Sequence, residues 1–222
     1  MTVHLLKNEP VRFTTAACLA QLLIHCQKLA ASDITLQTGE PVFAEVYGRL
    51  LRITQRKLSN TEVAEILNLI YGPNGSAQIL SGVDIDTHYE FRPNRNERYR
   101  FRVNATGCLV AGHDAIQISF RTIPSTPPKM SDLNLEPQLV DALAPAQGIV
   151  YVTGATGSGK TTLLAAIIRD LAEKTESHRK ILSYEAPIEF VYDTITMPSA
   201  IISQSEIPRH LPSFAAGVRN AL

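Results

Sequence analysis

The sequence predicts a mixed α/β chain in two parts, an α+β domain on an antiparallel sheet followed by the opening of a parallel α/β domain. Three observations carry this. Upstream, strand-like runs cluster around two helical patterns. Downstream, an apolar run, a glycine-rich loop, a helical pattern and a second apolar run follow in that order. Between them, Pro124-Ser125-Thr126-Pro127-Pro128-Lys129-Met130 suits neither regular helix nor central strand, because its prolines fix φ and remove N–H donors. The expected boundaries are residues 1–123, a linker over 124–134, and residues 135–222.

In the first part, Leu19, Leu22, Leu23, Cys26 and Leu29 recur at helical spacing. A second helix opens at Ser59, with Glu62 completing a capping box and Leu58 set against Val63 as a hydrophobic staple. It presents Val63, Ile66, Leu67 and Ile70. Strands are expected over 34–37, 42–47, 50–54, 85–92, 98–105 and 116–123. In the second part, Gln138 to Leu143 reads as a short helix. The run Gly148-Ile149-Val150-Tyr151-Val152-Thr153 is short, β-branched and nearly uncharged, which suits a strand buried on both faces of a parallel sheet. A helix then begins near Lys160, with Leu163, Leu164, Ile167, Ile168 and Leu171 on one face, and a further strand follows over 180–184. Strand, loop, helix, strand is how a doubly wound sheet starts.

Bulk properties exclude several functions. With 21 basic and 21 acidic side chains in 222 residues, no global field draws the chain to nucleic acid or to an acidic membrane, and no direct nucleic-acid partner is evident. Cys18, Cys26 and Cys108 form no CxxC pair, which argues for a reduced, cytoplasmic setting. No segment reaches the ~18 apolar residues of a membrane span, so work at a membrane implies recruitment by a partner. The six histidines show no metal-ligand spacing.

Chemistry enters at Gly154-Ala155-Thr156-Gly157-Ser158-Gly159-Lys160-Thr161, a complete GxxxxGK[ST] loop between strand-like and helical sequence, followed by Thr162. Its glycines let successive N–H groups turn inward around an anion, and the following helix adds partial positive charge. The motif assigns Lys160 to the β/γ phosphates of a nucleotide and the Thr161 hydroxyl to Mg²⁺. Glu185 and Glu189, in Glu185-Ala186-Pro187-Ile188-Glu189-Phe190, follow a strand at what becomes the carboxyl edge of the sheet, where ligands bind. A carboxylate there can orient water or hold Mg²⁺ through its shell, and surface acids beside a turn proline are the plainer alternative.

Arg98, Arg100 and Arg102 alternate with Tyr99, Phe101 and Val103, so the three guanidinium groups share one sheet face, with Arg121 of the next strand on the same surface. Two readings are open. The face meets anions such as phosphate, or it is a solvated surface with ion pairs to Glu90 or Glu97.

Taken together, these residues resemble the secretion ATPase superfamily of type II and type IV secretion and of pilus assembly and retraction. Ala31-Ser32-Asp33-Ile34-Thr35-Leu36 with Gly39 to Pro41 matches its SDxHL…GxPP opening, and Arg100-Phe101-Arg102-Val103-Asn104 its RFRVN strand. Phe120 to Pro124 matches FRxIP, Val152 to Thr162 the Walker A loop, and Glu185 to Phe190 the so-called Asp box. EAPIEFVY and SQSEIPRHLPSFAAGVRNAL look most like the type IVB secretion branch and its conjugative-plasmid relatives.

The resemblance implies a PAS-like first domain, a RecA-like ATPase domain, ATP and Mg²⁺ as ligands, and a homo-hexameric ring beneath an inner-membrane secretion or conjugation complex. It implies that Arg100, Arg102 and Arg121 reach the nucleotide when the domains close, and that Glu185 and Glu189 belong to the catalytic and metal-water network. Ala186 stands where the family usually has aspartate. Family members continue into a Walker B strand and a histidine box. With Phe214, Val218 and Leu222 followed by no helix stop signal, the expectation is a chain cut through an element, binding ATP weakly and hydrolysing it poorly alone. Two other readings keep the loop: a non-catalytic docking module of the ring, and a small-molecule kinase.

Overall fold

The computed structural model describes residues 4–124 and 126–221; Ser125 of the expected linker and Leu222 of the last helical pattern lie outside the described residues. The chain divides into two compact units, Met1–Ile123 and Pro124–Leu222.

The first unit is a six-stranded antiparallel sheet. Its strands are β1 (Ala31–Gln37), β2 (Phe43–Val46), β3 (Arg49–Arg52), β4 (Ile85–Phe91), β5 (Tyr99–Val110) and β6 (His113–Ile123), in the order β3-β2-β1-β6-β5-β4. One face carries Ile34, Leu36, Phe101, Val103, Ile118 and Phe120, all fully buried. Against that face pack Leu19, Leu22 and Leu23 of α1 (Ala16–Lys28) and Val63, Ile66 and Leu67 of α2 (Asn60–Tyr71), one contiguous core. Each such side chain contributes about 1.5–3 kcal/mol by leaving water. Cys26 belongs to this core, and burial pushes its thiol up to about 12. It is therefore neutral packing material, not a nucleophile.

β5 and β6 run several residues further than the sequence suggests. They meet at Ala111 and Gly112, both with positive φ (51° and 80°), the conformation of a tight two-residue hairpin turn. Gly107, beyond the expected end of the strand at 105, is paired with Ile116 in the ladder. The short helix α3 (Gly75–Leu80) approaches it there: a Cβ on Gly107 would lie 3.6 Å from the Ile79 side chain.

The capping box at α2 forms by half. Ser59 Oγ accepts the Glu62 N–H at 3.2 Å, but the Glu62 carboxylate does not turn back on Ser59. Instead it is buried, accepting the Phe13 N–H at 2.8 Å and both terminal nitrogens of Arg56 at 2.7 Å. Arg56 also pairs with Glu9 at 3.3 Å and lies 5.0 Å over the Phe13 ring. These contacts tie the segment around Phe13 to α2, and the Glu62 carboxylate raises the Arg56 pKa further. Removing Glu62 leaves the Phe13 N–H without its acceptor and the partly exposed Arg56 with Glu9 alone, so Glu62→Ala is expected to cost about 1–3 kcal/mol in chemical denaturation. A loss below about 1 kcal/mol would mean the pair is ornamental.

The second unit holds α4 (Pro137–Ala142), α5 (Lys160–Glu173), β7 (Arg179–Glu185), β8 (Ala200–Glu206) and α6 (Phe214–Ala221), after a 3₁₀ turn over Met130–Leu133. β7 and β8 pair in parallel from Arg179↔Ala200 to Glu185↔Glu206. Among the described residues of the proline-rich stretch, Pro124 and 126–129 belong to no helix or strand, as the prolines require. The stretch is not loose: Arg169 of α5 donates to the Pro127 carbonyl, and the 3₁₀ turn packs on α5.

Two expectations fail here. Gly148 to Thr153 is not a buried strand. It takes no part in the β7–β8 sheet, and Ile149 and Tyr151 are 76% and 81% exposed. Its β-branched side chains favour extended backbone, but a strand exists only where a neighbour accepts its ladder. The anticipated stripe on α5 is also displaced: Ala165, Ala166 and Ala172 are buried, whereas Leu164 is exposed. Small side chains let the helix approach its neighbours most closely, and the longer ones cover the flanks. Among the described residues, no helix is long and apolar enough to cross a membrane.

Candidate functional site

The phosphate-loop motif occupies the turn into α5. Gly159 is the N-cap of that helix in a left-handed conformation (φ 87°, ψ 14°), which a side chain would strain. Gly154 faces Ser158 so closely that a Cβ would stand 2.8 Å from its Oγ. Gly154, Gly157 and Gly159 all have positive φ, the backbone conformation that lets successive amides turn toward an anion. Lys160 Nζ donates to the Ala155 carbonyl at 2.7 Å, crossing the loop it belongs to. An ammonium has three N–H donors, so this contact leaves capacity for phosphate oxygens.

Thr161 lines a cavity of about 360 Å³ together with Glu185 and Glu189, between α5, the carboxyl end of β7 and Phe214 of α6. The structure thus brings together the proposed metal-binding hydroxyl and both acids found in the sequence. Ala186 lines the same cavity. Glu185 is anchored: its Oε1 accepts from Ser183 Oγ at 2.7 Å and from Gln204 Nε2 at 3.1 Å. Burial, with Glu185 close by, pushes the Tyr192 phenol well above its usual range, so it stays neutral. Ile188, Phe190 and Tyr192 are buried while Glu189 between them is half-buried. These apolar anchors fix the segment that carries the second acid. Where α6 packs on β7, Gly217 leaves no room: a Cβ there would meet the Tyr184 ring at 2.7 Å. Gly217→Ala should therefore lower the thermal midpoint by displacing α6, at a cost of about 1–3 kcal/mol; an unchanged midpoint would mean that α6 gives way freely.

Glu206 escaped the sequence reading. It lies opposite Glu185 in the parallel register and is only 2% exposed. A signal was present: both strands end in an acid followed two residues later by proline, Glu185-Ala186-Pro187 and Glu206-Ile207-Pro208, and both X-Pro bonds are cis.

The arginines lie in the first unit, on the sheet face opposite the core. Arg100 pairs with Glu90 at 3.1 Å, the ion pair of the second reading, but at 2% exposure it is buried rather than solvated. Arg98 pairs with the same carboxylate at 2.8 Å, whereas Glu97 accepts from Asn94 instead. Arg102 and Arg121 stand directly opposite each other, a repulsive arrangement offset by Asp86 beside Arg102 and Asp33 beside Arg121, the latter at 2.9 Å. Arg121 is the most exposed of the three arginines taken to reach nucleotide.

Comparison with known proteins bears on this arrangement. The family described as type II/IV secretion system protein matches residues 16–222. The chain belongs to that family. Among solved structures, the ATPase DotB of Legionella pneumophila superposes with a TM-score of 0.89 at 65% identity, covering 99% of this chain and 59% of that one. The twitching motility protein of Neisseria gonorrhoeae is 34% identical over 216 residues, 93% of this chain and 53% of the relative. The type IV pilus retraction ATPase PilT of Pseudomonas aeruginosa is 32% identical over 204 residues, 92% of this chain and 56% of the relative. The chain thus spans a little over half the length of each of these three relatives, and its mixed α/β fold is similar to that of DotB.

Proposed function

We propose that this chain is the nucleotide-binding part of a secretion motor ATPase, working in a homo-hexamer on the cytoplasmic side of an inner-membrane secretion or conjugation complex. In this reading the first unit is PAS-like and the second RecA-like. The observation that carries it is the shared cavity: Thr161, at the start of α5, faces the same space as Glu185 and Glu189.

The loop residues fit ATP and Mg²⁺, since Gly154 and Gly159 are where a side chain would clash or strain, and Lys160 is poised beside them. The amides of Gly154 to Thr162 and the Lys160 ammonium bind the phosphates, and the Thr161 hydroxyl holds Mg²⁺, which neutralises developing charge when bound. Glu189 orients the attacking water, with Glu185 completing the polar wall. Arg100, Arg102 and Arg121 supply cationic charge when the domains close; Arg121, the most exposed, exchanges its carboxylate partner most readily. The 65% identity to DotB supports type IVB secretion. Pilus retraction is the second reading, favoured by the likeness to PilT.

Phosphate release tests the reaction class. Assembled in its ring, the protein is expected to release phosphate from ATP in Mg²⁺-dependent fashion with no acceptor present. Transfer to a small-molecule acceptor, with negligible release to water, would make it a kinase instead. Nucleotide binding without release in any assembled ring would leave the docking module.

A further inference from the structure

Glu206 is a buried carboxylate that neither the phosphate loop nor the cavity lining uses. Burying such a group costs free energy unless hydrogen bonds replace its water, so its partners show what it is for. Its Oε2 accepts the Ile188 N–H at 3.0 Å. Two residues earlier on the same strand, Gln204 Nε2 donates to the Phe190 carbonyl at 2.8 Å and to Glu185 Oε1 at 3.1 Å, using both of its hydrogens. The two side chains therefore grip the backbone on either side of one residue, Glu189.

That segment needs a grip. Residues 186–191 belong to no helix or strand, so no ladder fixes them. β8, by contrast, is held to β7 over seven consecutive pairs ending at Glu185↔Glu206. We infer that Glu206 and Gln204 are positioning residues: through the Ile188 amide and the Phe190 carbonyl they hold Glu189 in register with Glu185 and with the Thr161 side of the cavity. This rests on the reading of Glu189 as the carboxylate that orients water. Catalytic groups displaced by about 1 Å lose on the order of 10²-fold in rate, while substrate phosphates held elsewhere are unaffected. The signature of the clamp is thus a loss in kcat without a loss in affinity.

The test compares ATP turnover and ATP affinity in the wild-type protein, E206A, E206Q, Q204L and E189Q. E206A is expected to lower kcat about 10²-fold with ATP affinity within about threefold of wild type. E206Q keeps a carbonyl acceptor for the Ile188 amide and should recover turnover to within about threefold. Q204L, which loses both donors, should fall about tenfold, and it decides the matter if E206A does not fold. The proposal is overturned if E206A turns over at the wild-type rate, if E206Q is as impaired as E206A, or if affinity falls in step with kcat. Wild-type turnover by E189Q would instead overturn the reading of Glu189. An inactive E189Q beside an unimpaired E206A overturns the clamp alone.

Discussion

Replacing Lys160 by alanine is expected to weaken ATP binding at least about 100-fold and to abolish turnover. A charge-assisted hydrogen bond contributes about 1.5–3 kcal/mol, and each 1.4 kcal/mol is about tenfold in affinity. The ammonium meets two phosphates in the motif's geometry, so the upper part of that range applies. The fold should not notice. Lys160 makes one exposed contact, with the Ala155 carbonyl, and the glycines rather than the lysine shape the loop. Calorimetric titration paired with thermal melting separates the two effects. Unchanged affinity in K160A would put the nucleotide somewhere other than Gly154 to Thr161.

Glu189→Gln should do the opposite, keeping ATP affinity within a few-fold while lowering turnover about 10²–10³-fold. The amide matches the carboxylate in shape but is a far weaker base and orients water poorly, an effect general base groups typically exert at about 10²–10⁴-fold. Glu185→Gln is a useful contrast. Glu185 Oε1 already accepts from Ser183 and Gln204, so an amide oxygen there keeps those bonds and the loss is smaller. Single-turnover phosphate release measures both. If E185Q were the inactive variant and E189Q the active one, the roles of the two acids would be exchanged.

How far the residues foretold this structure depends on how local the deciding interaction is. The first unit was legible because alternation on β5 and helical periodicity on α1 and α2 each name a buried face, and the faces found are those named. The loop and the two acids were legible for a similar reason, since a short motif fixes its own turn. Long-range choices were not. Glu62 had two possible partners, its own helix N-terminus or Arg56 and the Phe13 amide, and the buried ion pair won. Gly148 to Thr153 has strand-like side chains, but pairing is a property of two segments, and the β7–β8 sheet does not include it. In sequence, Gln204 and Glu206 are two polar residues of the run SQSEIPRHLPSFAAGVRNAL, with no chemistry assigned to either. Only the parallel register with β7 sets them behind Glu189.

The arginine face shows the same limit. Spacing put Arg98, Arg100, Arg102 and Arg121 on one surface; the strand registers place Arg100, Arg102 and Arg121 there, and Arg98, just ahead of β5, shares Glu90 with Arg100. Which carboxylates neutralise them follows from β4 and β1 lying on either side, with Glu90 and Asp86 from one and Asp33 from the other.

The most direct measurement is a crystal structure with Mg²⁺ and a non-hydrolysable ATP analogue. The phosphates should lie within Gly154 to Thr161, with Lys160 Nζ moved from the Ala155 carbonyl onto phosphate oxygen, the Thr161 hydroxyl on the metal, and Glu189 facing the terminal phosphate. An analogue bound elsewhere, or bound with Lys160 still on Ala155 and Glu189 turned away, would contradict the account.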